Sequence, residues 1–174
     1  VMKNSLFLFL VCLPALVNAE NRQPTGIELE ALAQANNAFN RSLVDLGRVE
    51  ENCKKSAGTL PSDVFQGLDM GEEDKKKALL YHYLKASSDC TSDALKDYLV
   101  SSALLTSLLY PFDPDRARML NEGNELIMDT RVRLLKAEVE YGQLEEGLRA
   151  ALDRIDELKK PFKLIESADA IGLN

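Results

Sequence analysis

His82 is the only histidine in the chain, so any Ser-His-Asp arrangement has to be built on it, and a two-histidine metal site within one chain is excluded. It stands in Tyr81-His82-Tyr83, where nothing beside it resembles a nucleophile motif, and it reads as a surface or half-buried structural histidine. Carboxylates are the other groups with catalytic potential. Asp69 with Glu72, Glu73 and Asp74 lacks the alternating Asp/Asn and the terminal Glu of a calcium loop. Asp113 and Asp115 flank Pro114 and read as a helix start. Glu138, Glu140, Glu145 and Glu146 lack the Glu-x-x-His pair of a di-iron bundle. A carboxylate pair can hydrolyse a glycan, which keeps a peptidoglycan-active hydrolase as a third functional reading, yet the same residues serve equally as solvated helix charges. No catalytic, cofactor-binding or metal-ligating residue is assigned, no cofactor is implied, and His82→Ala is expected to leave function intact.

Cysteine chemistry depends on the compartment, and the first residues speak to that. Lys3 precedes an apolar run from Leu6 to Val17, broken only by Pro14, and Val17-Asn18-Ala19 offers slender side chains at the positions a signal peptidase reads. The run is about a dozen residues, short of the roughly 20 needed to cross a bilayer. Residues 1–19 are therefore read as a cleavable signal peptide and residues 20–174 as a single helical domain, periplasmic or secreted, with no membrane span after cleavage. Of three cysteines, Cys12 lies in the leader, leaving Cys53 and Cys90. An even count in an oxidising compartment predicts a disulfide between them.

The 21 basic and 28 acidic residues give a net charge of −7, and loss of Lys3 with the leader makes it −8. An acidic surface repels phosphate backbones and anionic lipid surfaces, so nucleic-acid and membrane-surface partners are disfavoured. Lys54-Lys55 and Lys75-Lys76-Lys77 read as helix-end charges and a solvated face.

The elements that must carry these residues are helices. Thr25 with Glu28 forms a capping box, after which Leu32, Phe39, Leu46 and Cys53 recur every seven residues until Gly58 stops the helix near Ser56. Gly58, Pro61, Gly67 and Gly71 mark a loop over 58–71. A second helix is expected over about 72–87 and a third, capped by Ser92, over about 93–109. Beyond Asp113-Pro114 a fourth helix is expected to run to Lys160. Leu120, Ile127, Leu134, Tyr141, Leu148, Ile155 and Phe162 keep a seven-residue spacing along it, and a second row contains the small residues Gly123, Ala137 and Ala151. That stripe predicts packing within the chain, with a homodimeric coiled coil as the rival.

The expected fold is all-α: an elongated helical bundle of about four helices with one long C-terminal heptad-patterned helix. A Cys53–Cys90 bridge sets the end of the first helix level with the start of the third. The third then extends past the first, and the fourth folds back along both, placing Tyr141, Leu148 and Ile155 against Leu32, Phe39 and Leu46. The leading functional reading is a non-enzymatic exported protein that binds or scaffolds another protein of the bacterial envelope or secreted compartment. An inhibitor or immunity-type protein against a toxin or cell-wall enzyme is the alternative. Phe65, Leu68 and Met70 are the candidate partner surface, as large apolar residues outside any regular helix; such a loop either folds back to cover the core or is held ready for a partner. On that reading, replacing Phe65 and Met70 by serine leaves the melting temperature nearly unchanged.

Overall fold

The computed structural model describes residues 23–173; the expected leader and its cleavage site lie outside them. Helix α1 spans Gly26–Ser56, α2 Glu72–Leu109, α3 Pro114–Tyr141, α4 Glu146–Leu152 and α5 Leu164–Ile171, with a 3-10 turn at Asp156–Lys159. The protein is all-α, and among the described residues no helix is long and apolar enough to cross a membrane.

The helix starts predicted at Thr25 and at Asp113 are formed. Glu28 N–H donates to Thr25 Oγ1 at 3.4 Å while Thr25 N–H donates to Glu28 Oε2 at 2.8 Å, closing the capping box. At α3, Arg116 N–H donates to Asp113 Oδ1 at 3.0 Å, and Pro114 occupies the first turn, where a missing N–H costs nothing.

The expected second and third helices are one. α2 runs 38 residues, about 57 Å, without a break. Ser92 does not cap anything: its hydroxyl donates back to the Asp89 carbonyl at 3.1 Å, and Thr91 Oγ1 donates to the Ser87 carbonyl at 3.2 Å. Hydroxyls bonded to the preceding turn let Ser and Thr ride inside a helix, and no Gly or Pro is present to stop it.

α3 lies antiparallel to α2 from Ala117, beside Leu105 and Leu109, to Tyr141, stacked on Tyr81 at 4.2 Å between ring centroids. α1 covers only the C-terminal half of α2, also antiparallel. Phe39 meets Tyr98 with centroids 5.6 Å apart, Ala35 packs beside Leu105, and Cys53 meets Cys90 with Cα atoms 6.2 Å apart and sulfurs at bonding distance. The segment after Cys90 therefore runs back along α1 rather than beyond it. It is the N-terminal half of α2 that extends past the end of α1.

The expected continuous helix to Lys160 is also corrected. α3 ends at Tyr141 and Gly142, and the chain folds back through α4, the 3-10 turn and α5. Helix lengths supply a reason. Tyr141 sits level with Tyr81, nine residues from the start of α2, so continuation to Lys160 would carry a rod of about 29 Å along only about 13 Å of remaining partner. Folding back instead buries Leu144, Leu152, Leu158 and Phe162 against Ala78 and Leu79 of α2 and against Leu60 and Phe65 of the 58–71 loop. Tyr141, Leu148 and Ile155 belong to this C-terminal core and not to a contact with Leu32, Phe39 and Leu46. Of the small residues in the second heptad row, Ala137 is buried, but a Cβ on Gly123 would meet no atom within 4 Å, so Gly123 is not a close-packing point.

Two cores result. One is formed by α1, the C-terminal half of α2 and the first half of α3; the other by the N-terminal half of α2, the end of α3, the loop and the C-terminal segments. Within the second core the loop is tied to the C-terminal segment, where Lys163 N–H donates to the Gly58 carbonyl at 2.8 Å and Leu60 N–H to Ser167 Oγ at 3.0 Å.

Candidate functional site

At the seam between the two cores lies a cleft of about 780 Å³, walled by the end of α1, the middle of α2, the middle of α3 and residues 161–166. It exists because α1 ends before α2 does and the C-terminal segment does not fill the whole step. Leu46, Leu95 and Ile127, packed together, line it on the side of the first core; Tyr83 and Phe162, whose rings meet with centroids 5.8 Å apart, line it on the side of the second. The α1 residues from Leu46 to Lys54 run along it for about 12 Å.

The walls are mainly apolar, with one polar feature. Arg131, half-buried on α3, donates from its guanidinium to Oγ of the buried Ser88 on α2. Among the described residues Arg131 forms no ion pair with a carboxylate. Lys54, Lys163, Glu50 and Glu166 also line the cleft; Lys163 Nζ lies 3.8 Å from Glu166 Oε1. The cleft thus carries three cations against two anions on a chain whose overall charge is −7. Leu126 and Ile165 at its edge are 79 % and 72 % exposed.

A second feature is the outer face of α3. Met128, Val132, Leu135 and Val139 recur at i, i+4, i+7 and i+11, which places them in one row, and they are 43–67 % exposed. Helical periodicity turns that row away from Leu126 and Thr130, so it is separate from the cleft. Lys136 and Glu140 border it. Both features lie on the helix that the heptad pattern identified. The row is legible as a second apolar period on a helix whose first period faces inward, although the inward stripe alone accounts for the helix. Arg131 carries no comparable sequence signal, since an arginine on a helix reads as solvated.

His82 is buried, 4 % exposed, rather than at the surface or half-buried. Its ring meets Tyr81 and Tyr141 edge-on at 5.0 and 5.2 Å, and its Nε2 has no hydrogen-bond partner, with Asp153 Oδ1 3.8 Å away. Tyr141 donates its hydroxyl hydrogen to Asp153 Oδ1 at 2.9 Å. Burial holds the Tyr141 phenol protonated well above its ordinary range, helped by that hydrogen bond, and burial also raises Tyr81. Burial lowers His82 from 6.5 to about 4; Asp153 opposes this and Lys85 adds to it. The cluster therefore holds neutral rings that lock α2 to the end of α3.

A pH effect follows with a defined sign. Between pH 6.5 and about 4 the unfolded chain binds a proton on His82 that the folded chain refuses, so stability falls as pH drops through that window and the contribution levels off below it. The loss is expected to reach up to about 3 kcal/mol. Urea unfolding at pH 7, 5 and 4 measures it, and His82→Leu should flatten this part of the profile; an unchanged slope would show that His82 is not its source.

Phe65 is 5 % exposed in the C-terminal core, and Leu68 and Met70 are partly buried against the same core. The loop is held by turns, including Leu68 N–H donating to the Phe65 carbonyl at 3.2 Å, with Gly67 between them at φ +80°, a conformation that favours glycine. These side chains cover the core, so the partner surface expected on them is not presented. The disulfide residues Cys53 and Cys90 are brought together, and Cys53 forms part of the cleft wall. Glu138, Glu140, Glu145 and Glu146 are all exposed, and among the described residues no three His, Cys, Asp or Glu side chains are grouped to hold a metal ion.

No protein-family model matches the chain, and neither does any curated protein or any solved structure.

Proposed function

We propose that this chain is a non-enzymatic binding protein of the bacterial envelope or secreted compartment, and that it engages another protein through the outer face of α3. The observation that carries the reading is the row of Met128, Val132, Leu135 and Val139, exposed on a helix whose opposite side already packs on α2. A contiguous apolar row rimmed by charge marks an interaction surface more often than a solvated one. Covering it would gain roughly 1.5–3 kcal/mol for each side chain fully buried. An apolar helix laid along the row is the partner geometry that fits, with anchors spaced as on α3 itself.

The test is site-specific photo-crosslinking in cells that make the chain. A crosslinker at position 135 is expected to give one adduct with a single other protein, one at Arg133 on the other face none, and Val139→Asp is expected to remove the adduct. Val139→Asp should change folding stability by no more than about 0.5 kcal/mol, as for most surface substitutions. An adduct of twice the chain's mass would make the row a homodimer seam instead, and equal labelling from positions 133 and 135 would remove the assignment.

A further inference from the structure

The cleft at the seam calls for a different occupant. We propose that it binds a single-chain amphiphile with a carboxylate head, of the free fatty acid class, with the head on Arg131 and Ser88 and the tail between α1 and α3. This site is independent of the outer face of α3.

Three observations carry it. First, the cleft is walled by four separate segments of the chain, and its walls are mainly apolar. Its volume of about 780 Å³ lies in the range of small-molecule sites. Second, the one charged side chain that donates a hydrogen bond inside it is a half-buried arginine without a carboxylate partner among the described residues. A guanidinium with donors to spare beside an apolar wall is matched by a carboxylate, which accepts two parallel hydrogen bonds from it. Ser88 holds the guanidinium in place, since its Oγ already accepts from it. Third, Leu126 and Ile165 keep large aliphatic side chains in water at the edge of the same cleft, where an acyl chain would cover them.

The charges are consistent with this occupant. The surface as a whole is acidic, yet the cleft gathers Lys54, Arg131 and Lys163 against Glu50 and Glu166. An extended lipid surface would meet the acidic exterior, whereas a single anion meets only the local cationic excess.

Dodecanoate titrated into the intact chain below its micellar concentration is expected to bind at one saturable site. Arg131→Gln should weaken it by about tenfold or more, the size of a lost charge-assisted hydrogen bond, and Arg131→Lys should recover part of the loss. Dodecanol should bind more weakly than dodecanoate and equally to the parent chain and to Arg131→Gln. Thr130→Trp, which puts an indole into the cleft, should abolish binding of both while leaving the helical circular-dichroism spectrum intact. Equal binding of alcohol and carboxylate to the parent chain would overturn the assignment of the head. Tighter binding of a lysophospholipid than of dodecanoate would overturn the fatty acid class. Undiminished binding to Thr130→Trp, or no binding to the parent chain, would overturn the site, and none of these results bears on crosslinking from position 135.

Discussion

Phe65→Ala is expected to destabilise the protein by about 3–5 kcal/mol, as for aromatic truncation in a packed core, and to lower the melting temperature by about ten degrees for a chain of this size. The ring is 5 % exposed and packs in one cluster with Leu60, Leu79 and Phe162, so its removal leaves a cavity between the loop and two other parts of the chain. The loop is tied to the C-terminal segment by the bond from Lys163 N–H to the Gly58 carbonyl, so it cannot collapse freely into the space. Thermal unfolding followed by circular dichroism measures the effect. A shift of less than two or three degrees would mean that the loop is not part of the core, and would return Phe65, Leu68 and Met70 to candidacy as a docking surface.

Replacing Cys53 and Cys90 together by serine is expected to cost about 4 kcal/mol, from the chain-entropy relation for a loop of 37 residues. The consequence should be uneven along the molecule. Cys53 is near the last turn of α1, and beyond it the chain must cross to the start of α2, so loss of the bridge frees the end of α1 first. Because Cys53 also walls the cleft, dodecanoate affinity should fall with it, whereas packing around Ala35, Leu105 and Ala117 should persist to higher denaturant. Hydrogen exchange of residues 46–56 compared with residues 28–40 reads this difference. Free-thiol labelling of the denatured, unreduced parent chain should find no reactive cysteine among these two, and two labelled thiols would remove the premise.

Local chemistry accounts for what was legible in the chain alone. Thr25 and Glu28 cap each other within four residues, Asp113 and Pro114 start α3 within two, and Gly58 lies just beyond the last turn of α1. In each case the deciding groups are neighbours in sequence, so no distant contact is needed to fix the outcome. The inward positions were legible for a similar reason: Tyr141, Leu144, Leu158 and Phe162 are buried as their spacing implies, although not on one helix.

Distance-dependent choices were left to the tertiary structure. Ser92 can cap a new helix or bond back into an old one, and the sequence is the same for both; the continuous packing of α2 against α1 and α3 selects the second. Gly142 permits a turn without requiring one, and the turn is taken where α2 is about to run out as a partner for α3. Phe65, Leu68 and Met70 carry the composition of a docking loop and of a core lid alike, and the core laid beneath them by residues 144–162 decides between the two. The cleft belongs wholly to this second group. Leu46, Ser88, Arg131 and Phe162 come from four separate parts of the chain, and the space between them is set by the difference in length between α1 and α2, a quantity fixed only when the helices are packed side by side.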